Sequence, residues 1–84
     1  ITIEQLKDVK ERTDALRGIF DIDGKKIQVE EEQLRTQAPG FWDDQKKAEA
    51  QMKLVKGLQK WIEGYNDVKT LTDELELALS LIHI

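Results

Sequence analysis

The sequence predicts an all-α fold: a small antiparallel helical bundle of coiled-coil character, with three helices of which the third is much the longest. Two observations carry this. Apolar residues recur at alternating gaps of four and three through the second half of the chain, at Leu54, Leu58, Trp61, Tyr65, Val68, Thr72, Leu75, Leu79 and Ile82. That spacing keeps one stripe of a helix turned toward a neighbouring helix, and a strand cannot produce it. The composition agrees, with 36% charged and 39% hydrophobic residues and a single proline, as in a bundle or coiled coil rather than a disordered segment.

The first helix is predicted over Ile3 to about Phe20. Thr2 and Gln5 fit a capping box, in which hydroxyl and amide reciprocally satisfy free backbone N–H groups. Leu6, Val9, Thr13, Leu16 and Phe20 repeat the three-four spacing, and Gly18 weakens the last turn by about 1 kcal/mol. Asp21-Ile22-Asp23-Gly24 reads as a turn, with Asp23 the N-cap of a second helix over about Lys25 to Gln37. The face of that helix is thin: Ile27, Leu34 and Ala38 on one side, Val29 on another, with Glu30, Glu31 and Glu32 read as solvated.

Ala38-Pro39-Gly40 ends the second helix, because proline disfavours helical geometry before it and glycine frees the backbone after it. Either Asp43 or Asp44 can cap the third, which runs from Asp44 to Ile82. Ala48, Met52, Val55 and Ile62 add a second apolar flank to its first half only, so that half can touch two neighbours. Gly57 and Gly64 each cost about 1 kcal/mol in a helix interior. A break at Gly64 to Asp67 competes with continuity, and the unbroken heptad phase favours continuity. All 84 residues make one small helical domain.

Candidate chemistry is sparse. Asp21-x-Asp23-Gly24 has its glycine too early for a calcium loop and reads as turn and cap. His83 is the one histidine and there is no cysteine, so neither a zinc site nor a disulfide framework is expected. Asp43 and Asp44 serve a helix start, and Ser80, the one serine, has no base placed to activate it. No cofactor is expected. A net charge of −4 gives no basic field from which nucleic-acid affinity could be argued.

Five residues remain as candidates for partner contact. Phe41 and Trp42 either plug the end of the bundle or form a docking patch. Lys46, Lys53 and Lys60 recur every seven residues on one helix face, which is either a solvated face or a row able to meet RNA phosphates.

Two segments carry a family resemblance. Glu11-Arg12-Thr13-Asp14-Ala15-Leu16-Arg17-Gly18-Ile19-Phe20-Asp21 resembles the first helix and turn of the bacterial type-two peptide chain release factors. Pro39-Gly40-Phe41-Trp42-Asp43-Asp44-Gln45-Lys46-Lys47-Ala48 resembles that family's Pro-x-Phe-Trp-Asp-Asp-x-x-x-Ala segment. The resemblance implies a cytoplasmic translation-termination factor that reads UAA or UGA in the ribosomal A site and triggers hydrolysis of peptidyl-tRNA. The family's Ser-Pro-Phe and Gly-Gly-Gln motifs are not in this sequence. It therefore implies the helical N-terminal domain alone, with no catalysis of its own. Its partners would be the ribosome near the stalk base and the GTPase release factor.

Ser80 to Ile84 fits the family poorly, and a chain ending there would leave the third helix uncovered. Leu75, Leu79 and Ile82 then become candidates for contact between copies. Two rival classes are a coiled-coil self-association or adaptor domain, and a basic-face RNA-binding helix.

Overall fold

The computed structural model describes residues 1–82. His83, at which no zinc site is expected, lies outside the described residues. Three α-helices follow one another, α1 (Ile3–Ile19), α2 (Ile22–Arg35) and α3 (Gln45–Ile82), with a single 3-10 turn at Phe41–Asp43 before α3. Among the described residues there is no strand, and the all-α expectation holds. The long helix runs without a break through Gly64. Its 38 residues account for the molecule's 59 Å long axis.

The expected capping box starts α1. The Thr2 hydroxyl accepts from the Gln5 amide at 3.1 Å, and the Gln5 side-chain carbonyl accepts from the Thr2 amide at 2.9 Å. At the other end the Phe20 amide donates back to Leu16 at 2.9 Å, and the Lys25 ammonium reaches the Phe20 carbonyl.

The joint between α1 and α2 corrects the expected turn. α2 begins at Ile22, three residues before the predicted start, and Asp21 is its N-cap. Asp21 takes a left-handed conformation (φ 48°, ψ 54°), which a short polar side chain tolerates, and its carboxylate accepts from the Gly24 amide at 3.3 Å. A Cβ at Gly24 would lie 2.2 Å from that carboxylate, so glycine is what lets the cap close. Asp23 is no cap; it pairs with Arg17 across the joint at 2.8 Å.

Arg17 holds the Asp23 carboxyl below the usual carboxylate range. The stability this contributes is present above the unfolded pKa of about 4 and is lost as pH falls through the lower folded value. An acid titration of thermal stability should therefore lose a component below about pH 4 in the native chain. Arg17→Met should remove that component. An unchanged acid limb would show that the pair contributes nothing.

Partners along α3 give the topology. Leu6 lies beside Leu79, Lys10 pairs with Glu76 at 2.8 Å, Thr13 meets Thr72 at 3.4 Å, and the Phe20 and Trp61 rings stand 5.0 Å apart. Farther on, Val29 lies beside Gln59 and Ile62, and Glu32 contacts Gln51. As the first partner's number rises from Leu6 to Glu32, the second's falls from Leu79 to Gln51. Both short helices are thus antiparallel to α3 and lie end to end along it, touching each other little. The result is a helical hairpin with one arm interrupted at Phe20 and Asp21.

The buried residues follow this seam: Leu6, Thr13, Ile22, Val29 and Glu32 from the short arm, and Ala48, Val55, Tyr65, Thr72 and Leu79 from α3. On α3 they keep one heptad register, filled in by half-buried Gln51, Leu58 and Ile62. The predicted stripe is corrected here. Leu54, Trp61, Val68 and Ile82 are exposed, while Ala48 and Val55, predicted as the extra flank, form the α2 contact. Leu58, Tyr65, Thr72 and Leu79 belong to both patterns, and a helix with apolar residues on either side of such a row does not reveal which side is covered.

α2 differs from expectation in the same way. Ile27 and Leu34 face solvent, and Ile22, Val29 and Glu32 face α3. Once Ile22 is inside the helix, the three-four spacing runs from it rather than from Ile27. Glu32 is 8% exposed, not solvated: its carboxylate accepts from the Gln51 amide, and Arg35 stands 3.8 Å away. Gln51 also donates to the Glu32 backbone carbonyl at 3.1 Å.

Candidate partner-contact surface

The turn between α2 and α3 sets the aromatic pair in place. Gly40 adopts φ 80°, a conformation that side chains resist, and so turns the chain sharply after Pro39. The Asp43 amide donates to the Gly40 carbonyl at 3.1 Å, closing the 3-10 turn. Asp44 is the cap of α3: its carboxylate accepts from the Lys47 amide at 3.2 Å, which decides between the two predicted aspartates.

Phe41 and Trp42 are adjacent on this tight turn and border different hollows. Their rings meet edge to face with centroids 5.0 Å apart. Phe41 is half-buried and sits over Gln51, Ala50 and Leu54, the end-plug position. Trp42 is 63% exposed. It borders an open hollow of about 400 Å³ with Ala48 and Met52 as its apolar floor and Glu49, Lys53 and Lys56 on its rim. Burial thus separates the two aromatics.

Lys46, Lys53 and Lys60 are exposed and make no ion pair among the described residues. Their seven-residue spacing keeps them on one side of α3, about 10 Å apart. Lys53 shares the hollow with Trp42. Lys60 lies farther along, beside a second apolar hollow of about 210 Å³ between Phe20, Leu16, Trp61 and Val68. Sequence reasoning missed Met52 and Lys56 as neighbours of Trp42. Their spacing of four placed them on one face, but nothing in the sequence brought Trp42 back over that face.

An indole edge, a thioether and unpaired ammonium groups can hold an apolar side chain next to an anionic group. The seam candidates Leu75, Leu79 and Ile82 do not form one surface: Leu79 is buried beside Leu6, Leu75 is half-buried and Ile82 is exposed. No helix among the described residues is long and apolar enough to cross a membrane.

Comparison with known proteins gives a consistent result. The chain is 35% identical over 80 residues to peptide chain release factor 2 of Aeromonas salmonicida, covering 94% of this chain and 22% of that protein. It is 36% identical over 81 residues to peptide chain release factor 2 of Xanthomonas euvesicatoria, covering 92% of this chain and 22% of that protein. With peptide chain release factor 2 of Aliivibrio fischeri the identity is 37% over 82 residues, covering 89% and 22%. The chain thus spans about a fifth of the length of the curated relatives it matches, and the resemblance seen in its sequence extends over nearly all of it. No family model and no solved structure matches.

Proposed function

We propose that this chain is the helical N-terminal domain of a type-two peptide chain release factor, acting in translation termination at UAA and UGA codons in the cytoplasm. The observation that carries this is the 35–37% identity to three release factor 2 proteins across about nine-tenths of the chain. The domain contributes contacts and no chemistry. Trp42 with Lys53, and Lys46 and Lys60 along the same helix, form the docking row. Its partners are the ribosome near the stalk base and the GTPase release factor.

The test is a chimera in which this chain replaces the matching segment of the Aeromonas salmonicida factor. It should support codon-dependent peptide release and subsequent removal by the GTPase factor. Trp42→Ala with Lys53→Ala should slow removal and leave single-round hydrolysis near the chimera's own rate. A folded chimera that binds ribosomes but cannot terminate would overturn the assignment. So would codon-dependent release by the isolated chain.

A further inference from the structure

The end of α2 tightens before the chain reaches the aromatic turn. An α-helix bonds each amide to the carbonyl four residues back, but beyond Arg35 the step shortens to three. Thr36 donates to Gln33 at 3.1 Å, Gln37 to Leu34 at 3.1 Å and Ala38 to Arg35 at 3.2 Å. The Phe41 amide then donates to Ala38 and the Asp43 amide to Gly40, both at 3.1 Å, which carries the shortened step into the 3-10 turn. The change of step strands one acceptor. In a continuing helix the Thr36 amide would serve the Glu32 carbonyl; here it serves Gln33 instead.

The stranded carbonyl is taken up by α3. Half-buried Gln51 donates to it at 3.1 Å, and the same amide group donates to the Glu32 carboxylate. Gln51 also borders Phe41, together with Arg35, Ala50 and Leu54. Phe41 in turn meets Trp42 edge to face at 5.0 Å. Phe41 lies toward Ala50 and Leu54, and Trp42 toward Ala48 and Met52. One glutamine thus meets both ends of the segment that presents the indole: the helix end from which the segment departs, and the ring on which the indole leans.

We propose that Gln51 is the positioning residue for Trp42. By supplying the donor that the tightened end of α2 withholds from Glu32, it holds residues 36–41 in the shortened step. By bordering Phe41 it keeps in place the ring against which Trp42 rests. Without that donor, the Glu32 carbonyl is satisfied inside the chain by drawing the Thr36 amide back one residue, and the segment leading to the turn rewinds. The use of this restraint rests on the reading of Trp42 as a docking residue; the restraint itself does not.

The test reads Trp42 alone. Trp61→Phe, which keeps a ring beside Phe20, leaves Trp42 the one indole in the chain. In that background, Gln51→Leu should raise the amplitude of fast, sub-nanosecond depolarisation in the time-resolved fluorescence anisotropy of Trp42 at least about twofold, with helicity by circular dichroism retained. Phe41→Leu should do the same from the other end of the segment. Glu32→Gln leaves both acceptors of Gln51 in place and should change nothing. Val29→Ala loosens the same α2–α3 seam without touching the carbonyl, and should also leave Trp42 as it was. The double variant Glu32→Leu/Gln51→Leu separates positioning from stability: it removes the buried carboxylate and so folds more firmly than Gln51→Leu, yet Trp42 should stay as mobile as in that single variant. A Trp42 that remains equally fixed in Gln51→Leu overturns the proposal. So does equal loosening in Val29→Ala, or a double variant in which Trp42 regains its order along with the fold. None of these measurements uses a partner, so their failure leaves the docking role of Trp42 to the chimera, and failure of the chimera leaves the restraint standing.

Discussion

Ile22→Ala should lower the unfolding free energy by about 2–5 kcal/mol, the cost of truncating a fully buried isoleucine and leaving its space unfilled. Among the described residues, Ile22 is the one large side chain with no exposure at all. It stands at the first position of α2, where the Asp21 cap, the Arg17–Asp23 pair and the Lys25–Phe20 contact converge. Little can collapse into its place, because Asp21 is held in a left-handed turn and Gly24 in close approach to it. A domain of this size has only several kcal/mol of stability to lose, so the variant should be largely unfolded at moderate temperature. Ile27→Ala is the control: Ile27 is exposed and should cost less than about 0.5 kcal/mol. Chemical denaturation of the two variants measures the difference, and equal losses would mean that α2 packs by the face first read from the sequence.

Gln51→Leu should cost about 1–3 kcal/mol at neutral pH, through a different mechanism. Gln51 donates to both the carboxylate and the backbone carbonyl of Glu32, and that carboxylate is nearly enclosed against α3. Removing the amide leaves a buried acceptor without its donor, and the remaining cation, Arg35, stands 3.8 Å away with most of its side chain in solvent. Replacing both partners, Glu32→Leu with Gln51→Leu, should recover part of the loss, because the buried carboxylate is gone and only the Glu32 backbone carbonyl lacks the Gln51 donor. Urea midpoints of the two single variants and the double variant give the coupling. Additive losses would show that the two side chains do not depend on each other.

These two sites also show where sequence and structure part. The helical class, the capping box at Thr2 and Gln5, the stop at Pro39 and Gly40, and the continuity of the long helix were all legible. Each depends on local chemistry or on a period maintained over many residues. The face of α2 was not legible, because it turns on whether Ile22 lies inside the helix. An Asp-x-Asp-Gly sequence signals a turn equally well whether its first or second aspartate is the cap, and the choice of Asp21 moves the apolar phase from Ile27 to Ile22 and Val29. Glu32 was hidden by its neighbours Glu30 and Glu31, which are exposed; a run of three glutamates gives no sign that one of them meets a glutamine nineteen positions away.

For α3, the sequence supplied more apolar residues than the hairpin uses. The row shared by both patterns, Leu58 to Leu79, was found, but its covered side is set by α1 and α2, and they cover the Ala48, Val55 and Ile62 side in the first half. The surplus, with Leu54, Val68 and Leu71 among it, is exposed. In the candidate contact surface, Trp42 and the lysines could be named from the sequence but their grouping could not. Lys53 meets Trp42 only because the turn at Gly40 folds the indole back onto the first turns of α3.

The arrangement of α1 and α2 end to end along α3 underlies the seam and the hollow at Trp42 alike. Its most direct measure is the separation of two spin labels placed through Glu4→Cys and Gln33→Cys in a chain with no native cysteine, both sites being exposed. Helices laid end to end separate these positions by about 40–45 Å at 1.5 Å per residue. A distance distribution centred there is the expected result. A distribution centred at roughly 10–20 Å, the spacing of helices folded side by side, would contradict the hairpin.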